Sequence, residues 1–229
     1  GPIDTNGDGF DDLVVGAYEA EEDGRIYTYL GSSSGINTTY DHVIAPDNYE
    51  FTTGDYIGDV NGDGYDEVVL VDRTNTGFLY VFMGSAGGPG DAPDLVLKGA
   101  NNDTLGYALR GVGDLNGDGY NDMVAGAQGS GLPANSVFVY MGSAAGLSSA
   151  PTTRLYNSNG SSSSTGYMGN AIDAGDVNGD GLNDLAVCAL DVGSSGELYI
   201  FHGATTLSAT PDSTFTTPSS SSLKVCAGV

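Results

Sequence analysis

The sequence predicts an all-β fold built from four copies of one four-stranded unit, and three observations support this prediction. First, an acidic nine-residue loop recurs four times, starting at residues 4, 59, 114 and 176. Second, a short apolar run and then an aromatic run follow each loop, and both are too short for helices and rich in β-branched residues. Third, turn residues separate these runs, and no segment shows helical periodicity.

The four loops share one arrangement of oxygen-bearing residues. Positions 1, 3 and 5 are Asp, Asn and Asp, position 9 is Asp or Glu, and position 6 is Gly. This alternation makes the oxygens converge, Gly permits the sharp turn, and position 7 binds through its backbone carbonyl in loops of this kind. Oxygen ligands without His or Cys favour calcium over zinc, and plain Asp/Asn/Gly turns do not account for four copies in register.

The sequence therefore predicts four calcium sites. The predicted ligands are Asp4, Asn6, Asp8, Phe10 and Asp12 in loop 1; Asp59, Asn61, Asp63, Tyr65 and Glu67 in loop 2; Asp114, Asn116, Asp118, Tyr120 and Asp122 in loop 3; and Asp176, Asn178, Asp180, Leu182 and Asp184 in loop 4.

Each repeat is expected to contribute four short strands. The strand that leads into a loop lies at 55–58, 107–113 and 170–175. The apolar run after the loop, which reads as a buried strand, lies at 13–15, 68–71, 123–125 and 185–187. The aromatic run, which ends in a Gly turn, lies at 26–31, 79–84, 137–142 and 198–203. Weaker strands follow at 41–45, 94–98, 152–156 and 213–217.

Four antiparallel strands recurring at steps of 55, 55 and 62 residues are typical of the blades of a β-propeller. The EF-hand is the competing interpretation of the loop, but it needs a bidentate Glu at position 12 and flanking helices. Position 12 is apolar in all four copies, as Val15, Leu70, Ala125 and Val187. The flanking segments are predicted strands, so the EF-hand is excluded.

The segments on either side of the loops resemble FG-GAP repeats, the blades of the integrin α-subunit propeller and of many bacterial surface and secreted proteins. The matching segments are Gly106-Tyr-Ala-Leu109 and Gly169-Asn-Ala-Ile172 before the loop, and Gly16-Ala17 and Gly126-Ala127 after it. The second and fourth copies depart from the family at Val71-Asp72 and Cys188-Ala189, which are packing positions. The resemblance spans nearly the whole chain and implies a recognition surface for protein ligands or matrix, built from loops on one face.

We expect one domain over residues 1–229, with repeats at about 1–53, 54–105, 106–168 and 169–221 and a closing strand at 222–229. The closing segment shares the apolar pattern and small terminal residues of 169–175, and the first repeat lacks a strand before its loop. The sequence thus predicts four blades of four antiparallel strands, with the ring closed when the C-terminal strand joins the first blade. The alternatives are a fragment of a larger seven-bladed propeller and two copies forming an eight-bladed ring, so a monomer is expected and a dimer is the alternative.

The charge balance limits the range of partners. Thirty acids against six bases give a net charge of −24, which argues against nucleic-acid and anionic-membrane partners. No apolar run reaches the length of a membrane span. Fourteen of the acids lie in the four loops, so metal-free loops would suffer carboxylate repulsion. A calcium ion held at a hundredfold excess over its Kd would stabilise the fold by roughly 2.7 kcal/mol per site, so we expect structural metal.

No catalytic motif accompanies these loops, and we expect no enzyme. His42 and His202 lie in different strands without a motif, and no Gly-x-Ser-x-Gly elbow, zinc motif or phosphate loop is present. Ser/Thr/Gly-rich turns and few lysines indicate an extracellular or cell-surface module for adhesion or scaffolding.

Two points stay open from the sequence. Cys188 and Cys226 either form a disulfide that ties the terminal strand to the last blade or remain buried thiols. The alternative function is a carbohydrate-binding, lectin-like propeller, because tyrosines supply flat stacking area with a polar tip. Tyrosines in the repeated aromatic strand are expected to pack between blades, whereas less regular ones such as Tyr40, Tyr49, Tyr107, Tyr156 and Tyr167 are candidates for exposure.

Overall fold

The computed structural model describes residues 3–17, 25–44, 51–100, 103–129, 136–156, 167–192 and 195–216. These segments contain fifteen strands and no helix. The strands form four antiparallel sheets whose order follows the chain. The all-β prediction is therefore confirmed.

The sheets correspond to the four sequence repeats. Sheet 1 consists of β1 (Leu13–Ala17), β2 (Arg25–Tyr29) and β3 (His42–Ile44). Sheet 2 consists of β4 (Phe51–Gly58), β5 (Glu67–Asp72), β6 (Phe78–Phe82) and β7 (Leu95–Lys98). Sheet 3 consists of β8 (Asp103–Gly113), β9 (Asp122–Gly129), β10 (Ser136–Tyr140) and β11 (Thr153–Leu155). Sheet 4 consists of β12 (Tyr167–Gly175), β13 (Asp184–Val192), β14 (Ser195–Phe201) and β15 (Ser213–Thr216).

The predicted four strands per repeat are present in sheets 2, 3 and 4, whereas sheet 1 has three strands in the described part of the chain. The predicted closing strand at 222–229 lies outside the described residues. The strands that lead into the loops are longer than expected, because β4, β8 and β12 continue past register shifts in their pairing with the next strand.

Sheets 1, 2 and 3 each bury apolar side chains against the sheet that follows in the chain. Alternate residues of a strand point to opposite faces, so Val69 and Val71 of β5 pack toward sheet 3 while Val68 and Leu70 pack toward sheet 1. The same alternation in β9 places Val124 in the core shared with sheet 4. Three apolar cores therefore join sheets 1 and 2, 2 and 3, and 3 and 4.

The strands that precede the loops gather around one cavity. Residues of β4, β8 and β12 line a space of about 250 Å³. Within it the Arg110 guanidinium of β8 donates to a carboxylate oxygen of Asp55 of β4 at 2.7 Å, so an ion pair links sheets 2 and 3. In the described residues no helix is long and apolar enough to cross a membrane.

Candidate metal centres

The first acid of each loop closes that loop by accepting backbone hydrogen bonds. In loop 2 the Oδ1 atom of Asp59 accepts from the amide of Gly62 at 2.6 Å, and Oδ2 accepts from the amide of Gly64 at 2.9 Å. The other three loops repeat the Oδ2 bond at 2.8–2.9 Å. The Gly at position 6 has φ between +85° and +91° in all four loops, a region that side chains avoid.

The third and fifth positions bond to each other. In loop 2 the Asn61 side-chain oxygen accepts from the amide of Asp63 at 2.8 Å, and its side-chain nitrogen donates to the Asp63 carboxylate at 2.9 Å. The other Asp63 oxygen accepts from the amide of Tyr65 at 3.1 Å. Loops 1, 3 and 4 repeat all three bonds. Residues 1, 3 and 5 of each loop are thus held close together on the surface.

The ninth position differs from the other predicted ligands because its carboxylate is buried. In loop 3 one Asp122 oxygen accepts from the amide of Leu115 and the other from the amide of Gly142, both at 2.8 Å. The corresponding acids Asp12, Glu67 and Asp184 make the same two bonds in their own repeats. Each ninth acid therefore fastens its loop to the Gly that follows the aromatic strand of its sheet, which is β2, β6, β10 or β14.

Burial raises the pKa of two of the ninth acids, Glu67 and Asp122. Desolvation raises the pKa of Glu67 to about 7, against the opposing effect of the amides of Val60 and Gly84. Desolvation likewise raises the pKa of Asp122 to about 6. In loop 4 hydrogen bonds led by the amide of Gly181 lower the pKa of the exposed first acid, Asp176. Burial disfavours the charged form of such an acid, and a cation bound nearby would favour that form.

Among the described residues, no group of three or more Asp, Glu, His or Cys side chains is arranged so that it could hold a metal ion. Backbone amides donate to carboxylate oxygens at positions 1, 5 and 9 of the loops, as in loop 2 and loop 3. The chemistry of the donors still fits a hard divalent cation, because every predicted ligand is an oxygen and each carboxylate oxygen has a second lone pair.

Sequence reasoning missed the Gly residues that receive the ninth acid. A Cβ at Gly31, Gly142 or Gly203 would lie 2.2–2.3 Å from the carbonyl oxygen of a position-8 residue. The signal in the sequence was the Gly at the end of all four aromatic runs, which we interpreted as a turn. Its structural cause is the close approach of the loop backbone.

Cys188 and His42 lie in strands outside the four loops. Cys188 is buried in β13 and forms a disulfide, and Cys226, the other cysteine of the chain, lies outside the described residues. Of the two open possibilities, the structure therefore favours the disulfide. The Nε2 atom of His42 lies 3.3 Å from a carboxylate oxygen of Asp91, whose side chain is exposed.

The fold and the loops define a class of protein in which antiparallel sheets repeat and each sheet carries one acidic, oxygen-rich loop. The family model described as FG-GAP-like repeat matches residues 4–70, 59–125 and 114–187. The chain belongs to the FG-GAP-like repeat family, as the sequence resemblance predicted.

Curated relatives of the chain are integrin α subunits. Integrin alpha-PS5 of Drosophila melanogaster is 34% identical over 152 residues, which cover 59% of this chain and 15% of the relative. Integrin alpha pat-2 of Caenorhabditis briggsae is 28% identical over 217 residues, which cover 85% of this chain and 18% of the relative. Integrin alpha-5 of Xenopus laevis is 29% identical over 161 residues, which cover 61% of this chain and 15% of the relative. The chain therefore spans less than a fifth of the length of these relatives.

Proposed function

We propose that the chain is a calcium-stabilised, non-catalytic β-propeller that serves as an extracellular adhesion or scaffold module. The observation that carries the proposal is the fourfold repetition of one oxygen-only loop with the same internal hydrogen bonds. In each loop positions 1, 3 and 5 would bind calcium through side-chain oxygens and position 7 through its carbonyl, with the ninth acid completing the set. Bound calcium would supply positive charge to a loop that otherwise holds three or four acids.

Direct binding tests this part of the proposal. Equilibrium dialysis against calcium should give about four ions per chain, and Asp63→Ala, which removes a ligand from loop 2, should give one fewer. Asp91→Ala removes an acid outside the loops and serves as the matched control. A stoichiometry that is zero, or that does not fall in Asp63→Ala, would contradict the four sites.

We also propose that the sheets close into a four-bladed ring, with residues 1–229 forming a single domain divided into the four repeats named above. The face of sheet 4 that points away from sheet 3 repeats a pattern that is buried elsewhere. Val177 is 49% exposed, whereas the residues at the same loop position, Thr5, Val60 and Leu115, are fully buried under the next sheet. Phe215 is 58% exposed, whereas its counterparts on the other outer strands, Ile44, Leu97 and Leu155, are buried.

Sheet 1 presents the matching half of that interface. Leu13 and Val15 of β1 are 45% and 39% exposed, whereas the equivalent pairs in β5, β9 and β13 are buried against the preceding sheet. Phe10, at position 7 of loop 1, is also exposed. At position 4 of loop 4, no atom of the described residues lies within 4 Å of the place where a Cβ would stand on Gly179. These two faces complement each other as the three buried pairs of faces do, which favours contact between sheets 4 and 1.

The segment 222–229 is the proposed fourth strand of sheet 1. Among the described residues β1 pairs with β2 alone, and a groove of about 480 Å³ runs between β1 and β4. Cys188 lies on the open face of sheet 4, so a disulfide to Cys226 would hold the C-terminal segment near this groove.

Two measurements test the ring. Light scattering with calcium present should give a monomer near 23.3 kDa. Val177→Asp should destabilise the monomer by ~2 kcal/mol or more, because closure would bury the carboxylate, whereas Val96→Asp on the exposed outer strand β7 should be nearly neutral. A dimer would favour the eight-bladed alternative, and equal stability of the two variants would contradict closure.

The partner that fits the proposal is a protein ligand or matrix component bound by loops on one propeller face. The family relationship to integrin α subunits supports this class of partner. The disulfide at Cys188 supports an oxidising, extracellular location, and the net charge of −24 disfavours nucleic acid. Retention of calcium-loaded protein on immobilised matrix proteins, lost in chelator, is the expected result; no retention on any of them would contradict an adhesive role.

A glycan ligand is the second candidate, because Tyr40, Tyr107 and Tyr156 are exposed. Each ring already has a partner within the chain: Tyr27 lies 5.0 Å from Tyr40, the Arg73 guanidinium 5.4 Å from Tyr107, and the Arg154 guanidinium 5.7 Å from Tyr156. These contacts make the protein ligand the better supported proposal. Saturable binding on a glycan array that competing sugar abolishes would favour the lectin instead.

A further inference from the structure

Successive loops are joined to each other by backbone hydrogen bonds that no loop needs for its own shape. The amide of Asp66 in loop 2 donates to the carbonyl of Asp4 in loop 1 at 2.9 Å. The same bond joins loop 3 to loop 2, from Asn121 to Asp59 at 3.0 Å, and loop 4 to loop 3 at 3.2 Å. The accepting residue in every case supplies the first proposed calcium ligand of its loop.

Side chains make a second link between the same loops. The Tyr120 ring of loop 3 lies over Gly62 of loop 2, where an added Cβ would come within 2.8 Å of the ring carbon Cε1. Tyr65 lies in the same way over Gly7 of loop 1, and Leu182 over Gly117 of loop 3. The covering residue is always at position 7, whose carbonyl is a proposed ligand in its own loop.

We propose that the calcium sites are coupled, so that each loop positions the ligands of the loop before it. This inference rests on the proposed calcium binding. An ion in loop 3 would fix the backbone of Tyr120 through its carbonyl, and the same residue's ring then holds Gly62 in place. The amide of Asn121 meanwhile holds Asp59, so part of the ordering that loop 2 needs is complete before its own ion binds. Binding to neighbouring loops is therefore positively cooperative.

The coupling assigns a role to side chains that carry no ligand oxygen. Tyr120 is a positioning residue for loop 2, although it belongs to loop 3. Replacing its side chain leaves its carbonyl, and so the donor set of loop 3, in place. The effect of such a change on loop 2 separates coupling from direct coordination.

The experiment measures calcium affinity by competition with a chromophoric chelator in a double-mutant cycle. Tyr120→Ala should weaken one site about fivefold or more, the lower end of typical coupling energies. The same change in an Asp63→Ala background, where loop 2 has lost a ligand, should have little further effect on the remaining sites. Tyr156→Ala removes an exposed tyrosine that follows β11 and whose ring faces the Arg154 guanidinium, so it should leave every affinity unchanged.

Tyr120→Leu shows whether a loss of affinity in Tyr120→Ala comes from a folding defect. Leu182 covers Gly117 in the equivalent place, so a leucine at position 120 should restore most of the affinity. Four sites of unchanged affinity in Tyr120→Ala, or an equal loss in the Asp63→Ala background, would overturn the coupling and leave calcium binding intact. An absence of calcium binding in the unaltered chain would instead overturn the proposed function.

Discussion

The ninth acid of loop 3 offers the sharpest test of how the loops are fastened to the sheets. The two oxygens of Asp122 accept from the amides of Leu115 and Gly142 at 2.8 Å each, and the carboxylate is buried. Asp122→Ala leaves both amides without an acceptor, at ~1–3 kcal/mol each, so we expect a loss of ~2–6 kcal/mol in the free energy of unfolding. For a domain of this size that corresponds to a fall in Tm of ~4–24 °C.

The matched control is Asp118→Ala in the same loop. Asp118 is exposed, and the groups that bond to it, the amide of Tyr120 and the side-chain nitrogen of Asn116, can turn to water instead. Both variants lose one proposed calcium ligand, so the calcium-dependent part of the loss is similar in the two. The difference between them measures the buried hydrogen bonds.

Urea denaturation followed by circular dichroism, in saturating calcium, gives both free energies on one scale. Asp122→Ala should be the less stable variant by ~2 kcal/mol or more. Equal losses within ~0.5 kcal/mol, the usual size of a surface substitution, would refute the reasoning. They would mean that the ninth acid acts through coordination alone.

Three further predictions follow from the same structure. Removing calcium with a chelator should lower Tm by more than ~10 °C and restoring it should reverse the change, whereas an unchanged melt would contradict structural metal. Arg110→Ala should cost ~1–3 kcal/mol near neutral pH. Burial raises the pKa of Asp55 and Arg110 opposes the rise, so the loss measured by urea denaturation should shrink as the pH falls and the Asp55 carboxylate takes up a proton. Gly84→Ala should cost ~1–3 kcal/mol because its Cβ would lie 2.6 Å from the carbonyl oxygen of Asp66, while Gly87→Ala, with nothing within 4 Å, should be nearly neutral in the same thermal melts.

The repeat and its strands were predictable because their signals are local. An apolar run such as 68–71 and a Gly-terminated aromatic run such as 79–84 specify strands through side-chain type alone, and the structure places β5 and β6 there. The lengths of the inner strands were not predictable. In β8 the pairing with β9 shifts between Leu105 and Leu109, and such a shift depends on the partner strand.

Within the loops, the sequence predicted which residues carry oxygens but could not rank them. Asp118 and Asp122 are the same residue type four positions apart, yet one is exposed and the other buried with two amide partners. That difference arises because Gly142, twenty residues further on, returns beside the loop. Contacts between loops, such as Asn121 with Asp59, were hidden for the same reason, since they join residues more than fifty positions apart.

These contacts indicate where the energy of calcium binding would act. Each loop is tied by its ninth acid to its own sheet, and loops 2, 3 and 4 are also tied by their position-8 amides to the loop of the preceding sheet. A cation that stiffens the loop therefore stiffens the junction between two sheets as well as the turn within one. Four divalent ions would also change the net charge from −24 to −16, and they would do so where fourteen of the thirty acids lie. Because the apolar cores between sheets are built from short strands, we expect calcium to stabilise the angle between sheets more than the sheets themselves. Hydrogen exchange should accordingly show that chelation loosens the loop amides and the facing residues of adjacent sheets before the amides of β5, β9 and β13; uniform loss of protection would contradict this order.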